Sequence, residues 1–218
     1  MTLATPKINF MDTSQKIADK AHDLFIMYGI RSISMDKIAS SLGISKKTIY
    51  HFFSSKDRLV TVLVEKEIAV NITRWESLKT KNSDAIFELF FIMIYAKEFY
   101  KTLYPALMHD LENNHPDAFK KFNAHKRGYL TEIIKANMAY GVKSDLYQDD
   151  FNFEIITEFL LESLTIILNP NRPRISKHPE IVFGYLIHGM LTAKGLSLLN
   201  KYKHQQGGPL LLDQYQMH

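Results

Sequence analysis

With 218 residues, 46% of them apolar and 23% charged, the chain is long enough for one large or two small domains with a sizeable core. It holds no cysteine, which excludes a disulfide framework, a thiolate metal site and a cysteine nucleophile, and suits a reducing cytosol. The net charge of +4 is accounted for by residues 1–60, where nine Lys and Arg meet five Asp, so the rest of the chain is neutral. A basic excess confined to one end of a neutral body is the footprint of a module that binds a polyanion.

The opening MTLATPKINF has no long apolar core and no small-residue cleavage site, so it does not read as a secretory signal. The apolar run that includes Phe90 to Ala96 falls far short of the roughly 20 residues of a membrane span. A cytoplasmic protein without a membrane partner is expected. Residues 1–12 read as a frayed arm. From Thr13 to Tyr28 the spacing of Ile17, Ala18, Ala21, Leu24, Phe25 and Tyr28 predicts an amphipathic helix, capped by Thr13 or Ser14 and ended by Gly29. His22 is expected on its solvent face.

Residues 34–58, SMDKIASSLGISKKTIYHFFSSKDR, carry the densest local signals. Ser34 is placed to cap a helix over Met35–Ser41 whose apolar stripe is Ile38, Ala39 and Leu42. Gly43 allows the sharp turn that follows, and Ile44 anchors it. Ser45 caps a second helix that opens Lys46-Lys47-Thr48, with Tyr50 and His51 one turn on and Ile49 pointing inward. Helix, glycine turn, helix is the layout of a helix-turn-helix, whose second helix presents its N-terminal residues to base edges in the major groove. Two lysines in a first turn oppose the helix macrodipole, so their natural partner is an anion outside the protein.

Three motifs in this stretch, Gly43-Ile44-Ser45, Thr48-Ile49-Tyr50 and Phe52-Phe53-Ser54-Ser55-Lys56, resemble the DNA-binding segment of the TetR family of bacterial transcriptional regulators. The resemblance covers about the first quarter of the chain. Lys47 departs from the small residue that many members carry there. The resemblance implies an all-α homodimer with an N-terminal three-helix helix-turn-helix domain (13–60), a C-terminal helical bundle for ligand sensing and dimerisation (61–202) and a flexible tail (203–218). It implies DNA contacts from Ser34, Ser45, Lys46, Lys47, Thr48, Tyr50, His51 and Lys56. Lys47, Thr48 and His51 are assigned to bases, and Lys56 to phosphate. The function implied is a regulator, most often a repressor, that binds a palindromic double-stranded operator and is released by a small effector.

Beyond Ser55, a cap, a helix is expected from Lys56 to about Leu78, the lever of the family. Trp75 lies near its far end, as a core filler or a pocket wall. Asp84 to Tyr100 is apolar on nearly every side and predicts a buried helix. Pro105 opens the next, which stops before His115-Pro116. Pro116 starts a long helix to about Tyr140, closed by Gly141. His109 and His115, six apart and without a second pair, do not make a metal site. Residues 149–168 predict a helix with acids in its first turn, 169–179 a proline-rich loop, and Glu180 to Tyr202 a last single helix.

The final two long helices occupy the place of the family's dimer interface, and Ile156, Phe159, Leu160, Leu164, Ile167, Tyr185, Leu186, Met190 and Ala193 are its expected members. The effector pocket implied by the resemblance would be lined by Trp75, Phe91, Tyr95, Phe99, Tyr104, Phe122, His125 and Tyr129, and would favour an apolar or aromatic ligand. The same aromatics at helical spacing also read as plain core. No catalytic motif, metal cluster or cofactor-binding loop stands out, so an enzyme is not expected. A small-molecule binding protein with a vestigial DNA-binding unit is the alternative.

Overall fold

The computed structural model describes residues 10–79, 83–103, 106–167, 173–176 and 179–204. In chain order the helices are α1 (Phe10–Tyr28), α2 (Met35–Ser41), α3 (Lys46–Phe52), α4 (Lys56–Lys79), α5 (Ala85–Leu103), α6 (Ala106–Asn114), α7 (Pro116–Ala124), a π-helical turn (His125–Leu130), α8 (Thr131–Lys143), α9 (Phe153–Ile167), α10 (Pro173–Ser176), α11 (Pro179–His188) and α12 (Ala193–His204). The protein is all-α, and the extended pairing among the described residues is one isolated bridge between Tyr147 and Leu191. The chain divides into two compact units. One comprises the described residues up to Glu67 together with 106–122; the other comprises 68–105 and the described residues from Asn123 on.

The first unit follows its local sequence signals closely. Ser34 Oγ accepts from the Lys37 N–H at 3.1 Å and starts α2; Ser45 Oγ accepts from the Thr48 N–H at 3.0 Å and starts α3. Gly29 (φ 78°) and Gly43 (φ 65°) take the left-handed backbone that closes α1 and turns α2 into α3. Ile17, Ala21, Ile38, Ile49 and Leu59 are fully or almost fully buried and form a core across α1 to α4. Removing one of these isoleucine or leucine side chains from water contributes about 1.5–3 kcal/mol.

Two expectations are corrected here. Helix α1 begins at Phe10, so Thr13 and Ser14 lie inside it, and Asp12 in its first turn pairs with Lys16 at 2.7 Å. His22 is not on the solvent face, because its Nε2 sits 3.5 Å from Glu67 of α4. The unit also includes α6 and the start of α7. Asp110 accepts from the Arg31 N–H at 3.0 Å, and buried His115 lies 2.7 Å from Asp57 through Nδ1.

The second unit departs more from expectation. The helix expected to run unbroken from Pro116 contains the π-helical turn, and Gly141 does not close it. Helix α8 continues to Lys143, and Asp145 (φ 59°) supplies the left-handed residue. Gly141 is instead where the ring of Tyr147 lies, since a Cβ there would stand 2.1 Å from the ring. Helix α9 starts at Phe153, because Asn152 accepts from the Glu154 and Ile155 N–H groups at 2.9 and 3.1 Å; Asp149 and Asp150 precede it. The expected proline-rich loop contains the short α10.

The last helix is broken in two. Gln148 N–H donates to Met190 carbonyl at 2.9 Å and Thr192 N–H to Leu146 carbonyl at 3.0 Å, so the 146–148 segment captures the peptide groups between α11 and α12. Thr192 Oγ1 then accepts from the Gly195 N–H at 3.0 Å and starts α12. A buried polar cluster completes the region: Asn137 donates to Ala85 carbonyl at 2.9 Å, and the Tyr147 hydroxyl, whose pKa burial raises, lies 2.9 Å from the same carbonyl.

Candidate functional site

In the first unit the turn at Gly43 sets α3 beside α2 and leaves the opening residues of α3 on the surface. Ser45, Lys46, Lys47, Tyr50 and His51 are exposed, and Thr48 is half-buried. No acidic residue lies in the first turn of α3. A cluster of donors with no acid on the same turn suits an anionic partner. Ser34 and Ser45 act first as caps, and the Ser45 and Thr48 hydroxyls also bond each other at 2.7 Å. Lys46 donates to Asp36 of α2 at 2.9 Å, which raises its pKa, and lies 5.9 Å from the centre of the Tyr50 ring. His51 meets Phe52 edge-on at 5.4 Å.

Lys56 sits in the first turn of α4, which Ser55 caps by accepting from the Arg58 N–H at 3.0 Å. Its ammonium lies 5.9 Å from the Phe25 ring centre. Burial lowers its pKa, and the nearby carboxylates of Asp110 and Asp57 oppose that shift. Lys56 is thus partly tucked into its own unit, whereas Lys47 is exposed.

The second unit brings together a different set. Trp75 and Phe91 are buried, and Phe87, Phe91 and Tyr95 form a run of tilted rings along α5, 4.7 and 6.1 Å between centres. Buried His125, in the π-helical turn, bonds Asn71 of α4 through Nε2 at 2.9 Å, and Asn71 donates to Tyr95 carbonyl at 3.3 Å. Asn71 therefore accepts from His125, so Nε2 carries the proton. Desolvation holds the imidazole pKa down at about 4, so it is neutral near pH 7. Tyr129 stacks on His125 at 5.3 Å and donates to Glu76 at 3.1 Å; burial, with Glu76 adding to it, raises its pKa to about 12. Phe122 is buried and belongs to the first unit. The side chain of Phe99 and the whole of Tyr104 lie outside the described residues.

From α9 to the start of α12 the expected dimer residues separate. Leu160, Leu164, Ile167 and Met190 are buried within the chain and build its core, not an outer surface. Ile156 and Leu186 are half-buried, and Phe159, Tyr185 and Ala193 are exposed. The exposed apolar stripe also includes Ile155 and Ile166 on α9 and Ile181 on α11; Tyr185 is 79% exposed. The helical period puts Ile155, Phe159 and Ile166 on one face of α9.

Residues 17–63 match the family model for bacterial regulatory proteins of the tetR family. An HTH-type transcriptional regulator of Staphylococcus aureus strain bovine RF122 / ET3-1 (SAB2452) is 27% identical over 157 residues, 71% of this chain and 79% of that protein. The matched segment, residues 17–63, is of the tetR family. A second regulator, from S. aureus strain USA300 (SAUSA300_2515), is 34% identical over 68 residues, 31% of this chain and 37% of its own length. The fold of the chain recurs in a putative transcriptional regulator from Saccharomonospora viridis solved with choline, at a TM-score of 0.70 and 15% identity over 84% of this chain and 99% of that one. It recurs in CprB from S. coelicolor A3(2), at 0.67 and 16% over 95% and 100%.

Sequence reading missed Asp36, Asp110 and Asn71. Asp36 and Lys46 lie ten residues apart, and only the turn geometry brings them together. Asn71 was findable, because it lies one helical turn before Trp75 on the buried face of α4. Among the described residues no three His, Asp or Glu converge as metal ligands, and no helix is long and apolar enough to cross a membrane.

Proposed function

We propose that this chain is a homodimeric TetR-family repressor that reads a palindromic operator with the N-terminus of α3. The observation that carries this reading is the serine-capped, acid-free and lysine-bearing start of α3, held on the surface by the Gly43 turn. Lys47, Thr48 and His51 contact base edges; Tyr50 and Lys56 serve the phosphates, which Lys46 reaches only by giving up Asp36, with Ser34 and Ser45 at the same surface. The exposed Ile155, Phe159 and Ile166 of α9 and Ile181 and Tyr185 of α11 are the dimer face, because five large apolar side chains left open on two helices call for a partner. Two-fold symmetry then places the recognition helices on half-sites about one duplex turn, roughly 34–36 Å, apart.

The effector reading rests on the second unit. Two of its buried polar groups, Asn71 and His125, are uncharged near neutral pH and bond each other beside Tyr95 and Tyr129, in the unit that also buries Trp75 and Phe91. Such surroundings favour a neutral apolar or aromatic ligand with a hydrogen-bonding tip over a charged one. Its effect on DNA requires tighter binding to the DNA-incompetent form.

The test is selection of bound duplexes from a random pool, followed by sequencing. A palindromic winner supports the reading. Uniform weak enrichment contradicts it and turns attention to a ligand-binding protein whose DNA unit is vestigial.

A further inference from the structure

Lys46 is the first residue of α3, the position from which a recognition helix meets DNA. Its ammonium is nevertheless held at 2.9 Å by Asp36 and lies beside the Tyr50 ring. Both partners are well exposed, at 57% and 65% of their side-chain surface, so the pair contributes little to holding the fold. Its consequence lies at the surface. A mobile lysine there would bind any phosphate and add affinity that carries no sequence information. A lysine tied to a carboxylate must give up that bond to reach a phosphate, and the carboxylate itself repels the backbone. Lys47, one residue on, is exposed and makes no such pair among the described residues.

We propose that Asp36 is a specificity-determining residue, which pins Lys46 and so suppresses binding to random DNA while leaving sequence reading to Lys47, Thr48 and His51. This rests on α3 being the recognition helix. Asp36 acts through Lys46 and is a positioning residue; it touches no base itself. Release of Lys46 by a carboxamide at position 36 adds one phosphate contact on any duplex.

The experiment uses the full-length protein, the duplex selected from the random pool and a scrambled duplex of equal length, titrated by fluorescence anisotropy across 50–200 mM salt. Asp36→Asn should tighten binding to the scrambled duplex by about threefold at the low-salt end and steepen its salt slope by about 0.9. Binding to the selected duplex should change less, so discrimination falls. Adding Lys46→Gln should reverse the gain. Asp23→Asn, an equal charge change on α1, should leave discrimination intact. The proposal is overturned if discrimination is unchanged in Asp36→Asn, if Asp23→Asn reduces it equally, or if Lys46→Gln does not reverse it. A pool that yields no preferred duplex overturns the recognition-helix reading and this proposal with it, whereas a clear winner with unchanged discrimination overturns this proposal alone.

Discussion

The two units use glycine in opposite ways. In the first, Gly43 is required for its backbone: φ is 65° and nothing lies within 4 Å of where a Cβ would stand. In the second, Gly141 is required for its emptiness: its backbone is helical, and the Tyr147 ring occupies the place of a side chain. The first unit is shaped by conformational signals that act within a few residues, and the second by side chains that arrive from elsewhere in the chain. The same contrast separates their chemistry. One presents exposed cations to solvent, and the other buries neutral polar groups among aromatic rings.

That contrast can be broken by substitution. Gly141→Ala should be the most damaging change, costing about 3 kcal/mol in thermal or denaturant unfolding, since the Tyr147 ring and its bond to Ala85 carbonyl must shift. Gly43→Ala should cost less, about 1–2 kcal/mol, because only backbone strain is added, and Gly43→Asn should recover part of it. If Gly43→Ala were the costlier of the two, packing would not be what governs the second unit.

Acid sharpens the contrast further. The folded-state pKa of His125 lies at about 4, below the ordinary value of 6.5 for an unfolded chain. Above pH 6.5 the imidazole is neutral in both states and favours neither. As pH falls from 6.5 towards 4 the unfolded chain takes up the proton first, so stability is lost across that window and levels off below it. His125→Gln should flatten the dependence of melting temperature on pH there. An unchanged profile would mean that the imidazole is not held neutral by burial.

These differences explain what was legible in the sequence. The Ser34 and Ser45 caps, the Gly43 turn and the stripe through Ile38 and Ile49 are local, and each follows from residues close along the chain. The start of α1 was misjudged because Asp12 and Lys16, one turn apart, extend the helix beyond the first cap-like residue. Further on, periodicity gave helices in the right places but not their interruptions. The break between α11 and α12 is made by Leu146 and Gln148, more than 40 residues away, and the π-helical turn has no marker in HKRGYL. Apolar residues on several faces of α9 did not reveal which face is buried. Leu160 and Leu164 went to the core, and Ile155 and Phe159 stayed outside. The polar partnership of Asn71 and His125, 54 residues apart, was likewise beyond local reading.

The most direct test of the account is the affinity of the wild type and of Lys47→Ala for the selected duplex and for a scrambled one, at matched salt. The account predicts that the wild type discriminates strongly and that Lys47→Ala loses about 1–3 kcal/mol of preference at its base positions while holding scrambled DNA nearly as well. Equal losses on both duplexes would reduce Lys47 to a phosphate contact. Equal wild-type affinity for both would contradict sequence reading by α3 altogether.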